Sequence, residues 1–305
     1  MFETFGKSSD ATERKPETLA KLERLRKAMA FEQPDRLPIG DFFWGSFTKR
    51  WREDLGLPDD ADPYYHYDLD LIVTVPNVDP HIKAFETIRE DDEEVVIKTG
   101  FEATTRKRFD LPMPEQISWD TDTIEKMEAF EFDDPADRRR FFEAGDNQIA
   151  GVGDGFERNS PAWVETVKSL HADIPVFGSM CEASEITTRM LGQLNTLTWI
   201  GEYHERFGEQ LLRIGEFSYE VAKAEIEAAD GHLDGFVIWG DVAYKQGLFM
   251  GPKYWRQYYK PTVARIIELC HDNGLPVMYH GCGNANSYLE DMIEIGLDGY
   301  TPLEA

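Results

Sequence analysis

Between about residue 160 and residue 301, short apolar segments alternate with longer segments of helical period, and this alternation restricts the fold more than any other feature of the chain. Ile174–Gly178 reads as a strand followed by a helix through Arg189, and Glu202–Asp230 is a long helical stretch. Leu233–Trp239 is the next strand, Pro252–Cys270 is helical, and Pro276–His280 is again a strand. Ser287–Ile295 is a helix opened by a Ser-x-x-Glu capping box, Ser287 to Glu290, and closed by Gly296, and Leu297–Thr301 is the last strand. Strand, helix and strand in repetition predict right-handed crossovers and a parallel sheet. An open nucleotide-binding sheet would need a Gly-x-Gly-x-x-Gly turn opening a helix. The best candidate, Gly151-Val152-Gly153-Asp154-Gly155, follows no convincing strand. A closed barrel is therefore favoured.

Upstream, residues 1–16 form a polar arm before a helix over Glu17–Ala30, in which Leu19, Leu22, Leu25 and Met29 recur at helical spacing. Arg36–Phe43 reads as a short strand and Ser46–Leu55 as a helix. Residues 85–109, rich in Thr, Val and charge, read as an antiparallel hairpin or meander inserted into the alternating pattern. The predicted organisation is an N-terminal arm and helix over 1–35 and one α/β domain over 36–305, with the insertion at about 85–109.

A net charge of −26 argues against nucleic acid as a partner, because polyphosphate binding needs clustered Lys and Arg. No apolar run approaches the roughly 20 residues needed to cross a bilayer, and the N-terminus shows no secretory pattern, so no membrane partner and a cytoplasmic location are expected. Three cysteines, Cys181, Cys270 and Cys282, are too few for a disulfide framework and direct attention to thiol or metal chemistry.

In a parallel barrel, functional side chains come from the C-terminal ends of strands. The residues there are Cys181 and Glu182, then Asp241, then His280 and Cys282, then Glu304. In His280-Gly281-Cys282-Gly283, residues two apart in an extended segment point to one side, so an imidazole and a thiolate can grip one ion. The alternative is a hydrogen-bonded core histidine and a buried thiol. Asp241 reads either as a carboxylate orienting His280, as a general base, or as an acceptor of backbone amides. Glu182 is a second acid/base candidate, with helix capping as the alternative. The aromatics Phe42, Phe43, Trp44, Trp239 and Tyr244 are candidates for lining an apolar pocket, or else core.

The run Tyr279-His280-Gly281-Cys282-Gly283-Asn284, with Gly296-Leu297-Asp298-Gly299-Tyr300 and Pro302-Leu303-Glu304 after it, resembles the uroporphyrinogen decarboxylase superfamily. Gly240-Asp241, Gly247-Leu248-Phe249-Met250-Gly251-Pro252, Tyr258-Tyr259-Lys260-Pro261 and the entry phrase Arg36-Leu37-Pro38-Ile39 agree with it. The nearest branch is that of methylcobamide:coenzyme M and other corrinoid-dependent methyltransferases. The resemblance implies a distorted (β/α)8 TIM-type barrel carrying the N-terminal helical extension and the hairpin insertion. It also implies a catalytic zinc held by His280 and Cys282, with a further cysteine ligand downstream. The sequence stops at Ala305, so a C-terminally shortened barrel is expected, with Glu304, Asp241 or Cys181 in the place of that ligand; Glu304 is taken as the third metal ligand.

The activity so implied is zinc-dependent methyl transfer between a methylated corrinoid, or a methyl ether, and a thiol or corrinoid acceptor. No Asp-x-His-x-x-Gly corrinoid-binding pattern is present, so the cobamide is expected as free methylcobamide or on a partner corrinoid protein, with Phe43, Trp44, Trp239 and Tyr244 toward it. The other substrate is a small thiol or a methoxylated compound, and a homo-oligomer is left open. The decarboxylases' Arg-Gln-Ala-Gly-Arg segment is missing: the chain reads Gly40-Asp41-Phe42-Phe43-Trp44-Gly45, with Lys49, Arg50 and Arg52 as the nearest cations. A metal-free tetrapyrrole decarboxylase is thus the second reading, and a non-catalytic ligand-binding barrel or fragment the third.

Overall fold

A computed structural model describes residues 14–150 and 156–303. Its centre is a parallel sheet of five strands: β1 (Ile72–Val73), then, beyond an antiparallel insertion, strands at Val176–Cys181, Gly235–Trp239, Val277–His280 and Gly299–Thr301. The insertion consists of β2 (Glu86–Glu90), β3 (Glu94–Lys98), β4 (Ala103–Arg108) and β5 (Glu115–Trp119), so the four later parallel strands are β6 to β9. Sheet order follows chain order, β1-β6-β7-β8-β9, which is the winding of a barrel wall and not of a doubly wound sheet. Among the described residues the sheet has five parallel strands where the sequence predicts eight.

The strands are apolar on both faces because both faces are covered; all six residues of β6 are buried. Val176, Met180, Phe236, Ile238, Val277 and Tyr279 face the helical layer and belong to the main core. On the opposite, concave face Phe177 and Val237 pack with Leu71 and with Leu25 of α1 (Pro16–Met29). Further helices are α2 (Gly45–Leu55), which precedes β1, and α3 (Trp163–His171), α4 (Ala183–Glu202), α5 (His204–Ala229), α6 (Pro252–Tyr258), α7 (Lys260–Asp272) and α8 (Leu289–Glu294). Along α5, Phe207, Leu211, Ile214, Val221 and Ala222 make the buried stripe that seats it on the sheet. No helix among the described residues is long and apolar enough to cross a membrane.

Four local expectations change. Arg36–Phe43 is extended but forms no ladder strand: Pro38 has no N–H to donate, and Ile39 instead donates to the Asp70 carboxylate (2.7 Å) while its carbonyl accepts from the Asp70 amide (2.8 Å). The inserted meander has a fourth strand, β5, beyond residue 109. The helix expected over Pro252–Cys270 breaks at Tyr259, next to Lys260-Pro261, into α6 and α7. Ser287 does not cap α8; Tyr288 occupies that position, with no side-chain cap, and its hydroxyl is committed to the Tyr300 hydroxyl (2.7 Å).

Candidate metal centre

Register places the site. Cys181 of β6, Trp239 of β7 and His280 of β8 are consecutive partners across the sheet, so their side chains share the concave face at the C-terminal ends of the strands. Asp241 and Cys282 lie two residues beyond Trp239 and His280 and continue the same side. One donor atom each from Asp241, His280 and Cys282 falls within 4.8 Å of the others. The His280 Nε2 and the Cys282 Sγ are 3.8 Å apart.

The turn carrying these groups is held by backbone contacts only small residues permit. A Cβ on Gly281 would meet the Gly240 carbonyl and the Tyr300 hydroxyl at 2.8 Å, and Gly283 has φ +97°. The Tyr300 hydroxyl donates to the Gly281 carbonyl (2.7 Å). Asp241 secures the other side: its Oδ1 accepts the Cys282 amide (2.8 Å), and its own amide donates to Glu185 on α4 (3.3 Å). Asp241 therefore does not orient the imidazole through its second nitrogen, since His280 Nδ1 is buried without a partner.

His280 lies between Phe42 and Trp239, with ring centroids 5.8 and 4.9 Å away. Burial in this aromatic surrounding lowers its pKa, against the opposing pull of Asp241, and so favours the neutral imidazole that a metal needs. A nitrogen and a sulfur bound to one tetrahedral zinc are about 3.5 Å apart, given bonds of roughly 2.0 and 2.3 Å. The observed separation and a His, Cys and carboxylate donor set fit that ion.

The cluster opens into a cavity of about 390 Å³ walled by Phe42, Tyr64, Val75, Met113, Ile149 and Trp239, with Glu185 and Arg189 of α4 also in its lining. Of the predicted pocket aromatics, Trp239 is here. Phe43 turns away to pack on Phe47 and Tyr64, Trp44 is the residue before α2 and lines a different surface hollow, and Tyr244 stacks on Phe249 in a short hairpin. Phe42 takes their place. Glu304 and the segment Gly151–Gly155 lie outside the described residues. Cys181 borders the cavity, but its thiol is pushed well up by burial and it is not among the three clustered donors.

Glu182 is placed elsewhere. It caps α4, accepting the Ser184 amide (3.2 Å) and hydroxyl, and does not line the cavity. Burial raises its pKa to about 8, so the folded chain keeps a proton there that the unfolded chain loses at an ordinary carboxylate value. An acid raised in this way makes folding less favourable as pH climbs from about 4.5 through about 8. Glu182→Gln keeps an acceptor for the cap and removes that penalty. The variant is expected to bind metal as the parent does. It should also gain a few kcal/mol at pH 9 but not at pH 4, because each tenfold change in proton affinity is worth about 1.4 kcal/mol. Chemical denaturation at the two pH values checks this.

Residues 154–302 match the family profile for uroporphyrinogen decarboxylase (URO-D). The matched segment, just under half of the chain, is similar to that family. The metal cluster and β6 to β9 all lie inside the matched segment. The solved structure of a methyltransferase from Methanosarcina mazei is similar, with a TM-score of 0.54 over 92% of this chain and 75% of that one at 16% identity, which shows a shared fold. No curated protein matches the chain. Within the matched segment, sequence reasoning missed Glu185 and Arg189. Their i, i+4 spacing one turn after a strand end was the available signal.

Proposed function

We propose that this chain is a zinc-dependent methyltransferase. It moves a methyl group between a small substrate and the cobalt of a cobamide, brought as free methylcobamide or on a partner corrinoid protein. The reading rests on one observation: an imidazole nitrogen, a thiol sulfur and a carboxylate converge within 4.8 Å beside a cavity. His280, Cys282 and Asp241 would hold the ion. Zinc there supplies a Lewis acid that stabilises a thiolate or draws charge from an ether oxygen near neutral pH. Trp239 and Phe42 exclude water from the imidazole, and Glu185 fixes the Asp241 backbone. In the ether direction, the oxygen keeps its bonding pair and takes a proton, while the methyl joins cobalt(I), which provides both electrons of the new bond. The complete eight-stranded barrel belongs to the same proposal.

Tetrapyrrole decarboxylation is disfavoured by charge. A substrate with several carboxylates needs several charge-assisted Arg contacts. Among the described lining residues Arg189 is the one Lys or Arg, beside the acids Glu185 and Asp241. The test compares methyl transfer from methylcobalamin to a thiol panel, and from methyl ethers to reduced cobalamin, with conversion of uroporphyrinogen. Zinc-dependent methyl transfer is expected. Decarboxylation by metal-free protein, or no turnover of any of these substrates, overturns the reading.

A further inference from the structure

The cavity beside the metal cluster has two different ends. One end is an apolar patch, with Phe42 edge-on to Trp239 at 4.7 Å and Tyr64, Met113 and Ile149 also in the wall. About 390 Å³ lies at the small end of ligand sites and accommodates a single-ring molecule. A small hydrophilic thiol would leave most of that apolar surface uncovered.

The polar end is Arg189. Its Nε is buried without a partner, and its nearest acid, Glu185, stands 3.5 Å from Nη2, the outer limit of a hydrogen bond. Glu185 divides its carboxylate: Oε1 accepts the Asp241 amide, and only Oε2 faces Arg189. The position of Arg189 is fixed: Gln116 of β5 donates to its backbone carbonyl (2.9 Å). In the same cavity the buried Gln148 side chain has an oxygen with no partner. A buried guanidinium donor left unmade is costly, so Arg189 marks the place where an acceptor group of a ligand completes the site, whereas the Gln148 oxygen would be met by a donor and not by a carboxylate.

We propose that the small substrate is an aromatic carboxylic acid, with its ring against Phe42 and Trp239 and its acid group on Arg189. That this molecule is the methyl donor or acceptor rests on the function proposed above; that the cavity binds it does not. The shared recognition chemistry is a flat apolar body with one anionic group, and Arg189 sets the specificity.

The test is calorimetric titration of the full chain, stripped of metal so that a carboxylate has no ion to bind, with 4-methoxybenzoate, 4-methoxybenzamide and methoxybenzene. The acid is expected to bind about tenfold to a hundredfold tighter than either neutral analogue, the range a hydrogen bond to a charged group supports. Arg189→Gln should abolish that preference and Arg189→Lys should restore part of it. Equal binding of the three compounds, no binding at all, or a preference that survives in Arg189→Gln overturns the proposal. If Arg189→Gln does not fold, the three ligands on the parent protein decide alone. Acid binding through Arg189 in a protein that neither holds zinc nor transfers methyl groups would remove the methyltransferase reading and leave this one. Methyl transfer confined to neutral substrates would do the reverse.

Discussion

Cys282→Ser is expected to lower zinc affinity by at least on the order of a hundredfold while leaving the fold intact. Loss of a residue that merely supports a ligand costs about 10–100-fold, and removing a thiolate from the ion itself costs no less. The fold is spared because Cys282 is only partly buried and its backbone amide, which serine retains, donates to Asp241. His280→Ala should match it. Asp241→Asn, which keeps an oxygen for the Cys282 amide but removes the charge, should cost about tenfold. Cys181→Ser should change little, since that thiol is buried and outside the cluster. Competition with a chromogenic chelator measures all four. Equal affinities for Cys282→Ser and the parent would show that the sulfur is not a ligand.

Arg14→Ala is expected to destabilise the chain by about 3–5 kcal/mol, the cost of leaving one partner of a buried ion pair alone. Arg14 donates to both oxygens of Asp234 (2.7 and 3.1 Å) and also meets the His171 Nδ1 (2.9 Å), with both charged side chains almost fully buried. Asp234 in turn accepts the Val176 amide (2.9 Å), so this pair ties the chain before α1 to the start of β6 and β7. The double variant Arg14→Met, Asp234→Leu should recover most of the loss, because it removes the stranded carboxylate as well. Urea unfolding of the single and double variants decides. A loss in Arg14→Ala below about 1 kcal/mol, as expected for a surface pair, would show that the pair does not anchor the N-terminal segment.

The parts of this protein legible in its sequence are those governed by short-range periodicity. Two residues in an extended segment share a side, which is why His280 and Cys282 pair on inspection, and Asp241 follows a strand whose end is marked by Trp239-Gly240. The crossover pattern reveals the parallel sheet because the sequence period changes with every element. What depends on long-range partners is not legible. Phe42, and not Phe43 or Trp44, reaches the cavity because Arg36–Phe43 is fixed by Asp70 and not by a ladder with its own alternation. Glu182 and Glu185 are alike as sequence. Glu182 is the residue before α4 and turns back to cap it, whereas Glu185 sits in the helix's first turn and reaches the Asp241 amide. The Ser287 capping box has the right spacing, but the Tyr288–Tyr300 contact sets where α8 begins.

Sulfur and nitrogen from one turn, with a carboxylate from beyond the neighbouring strand, would give a single zinc ion a mixed shell that no surface site of oxygens reproduces. X-ray absorption at the zinc edge of the purified, zinc-loaded protein reads that shell. One sulfur at about 2.3 Å is expected, together with nitrogen and oxygen neighbours at about 2.0–2.2 Å, and the sulfur should vanish from the spectrum of Cys282→Ser. A shell of oxygen and nitrogen alone in the parent protein, or failure to retain zinc at all, would contradict the assignment of this site.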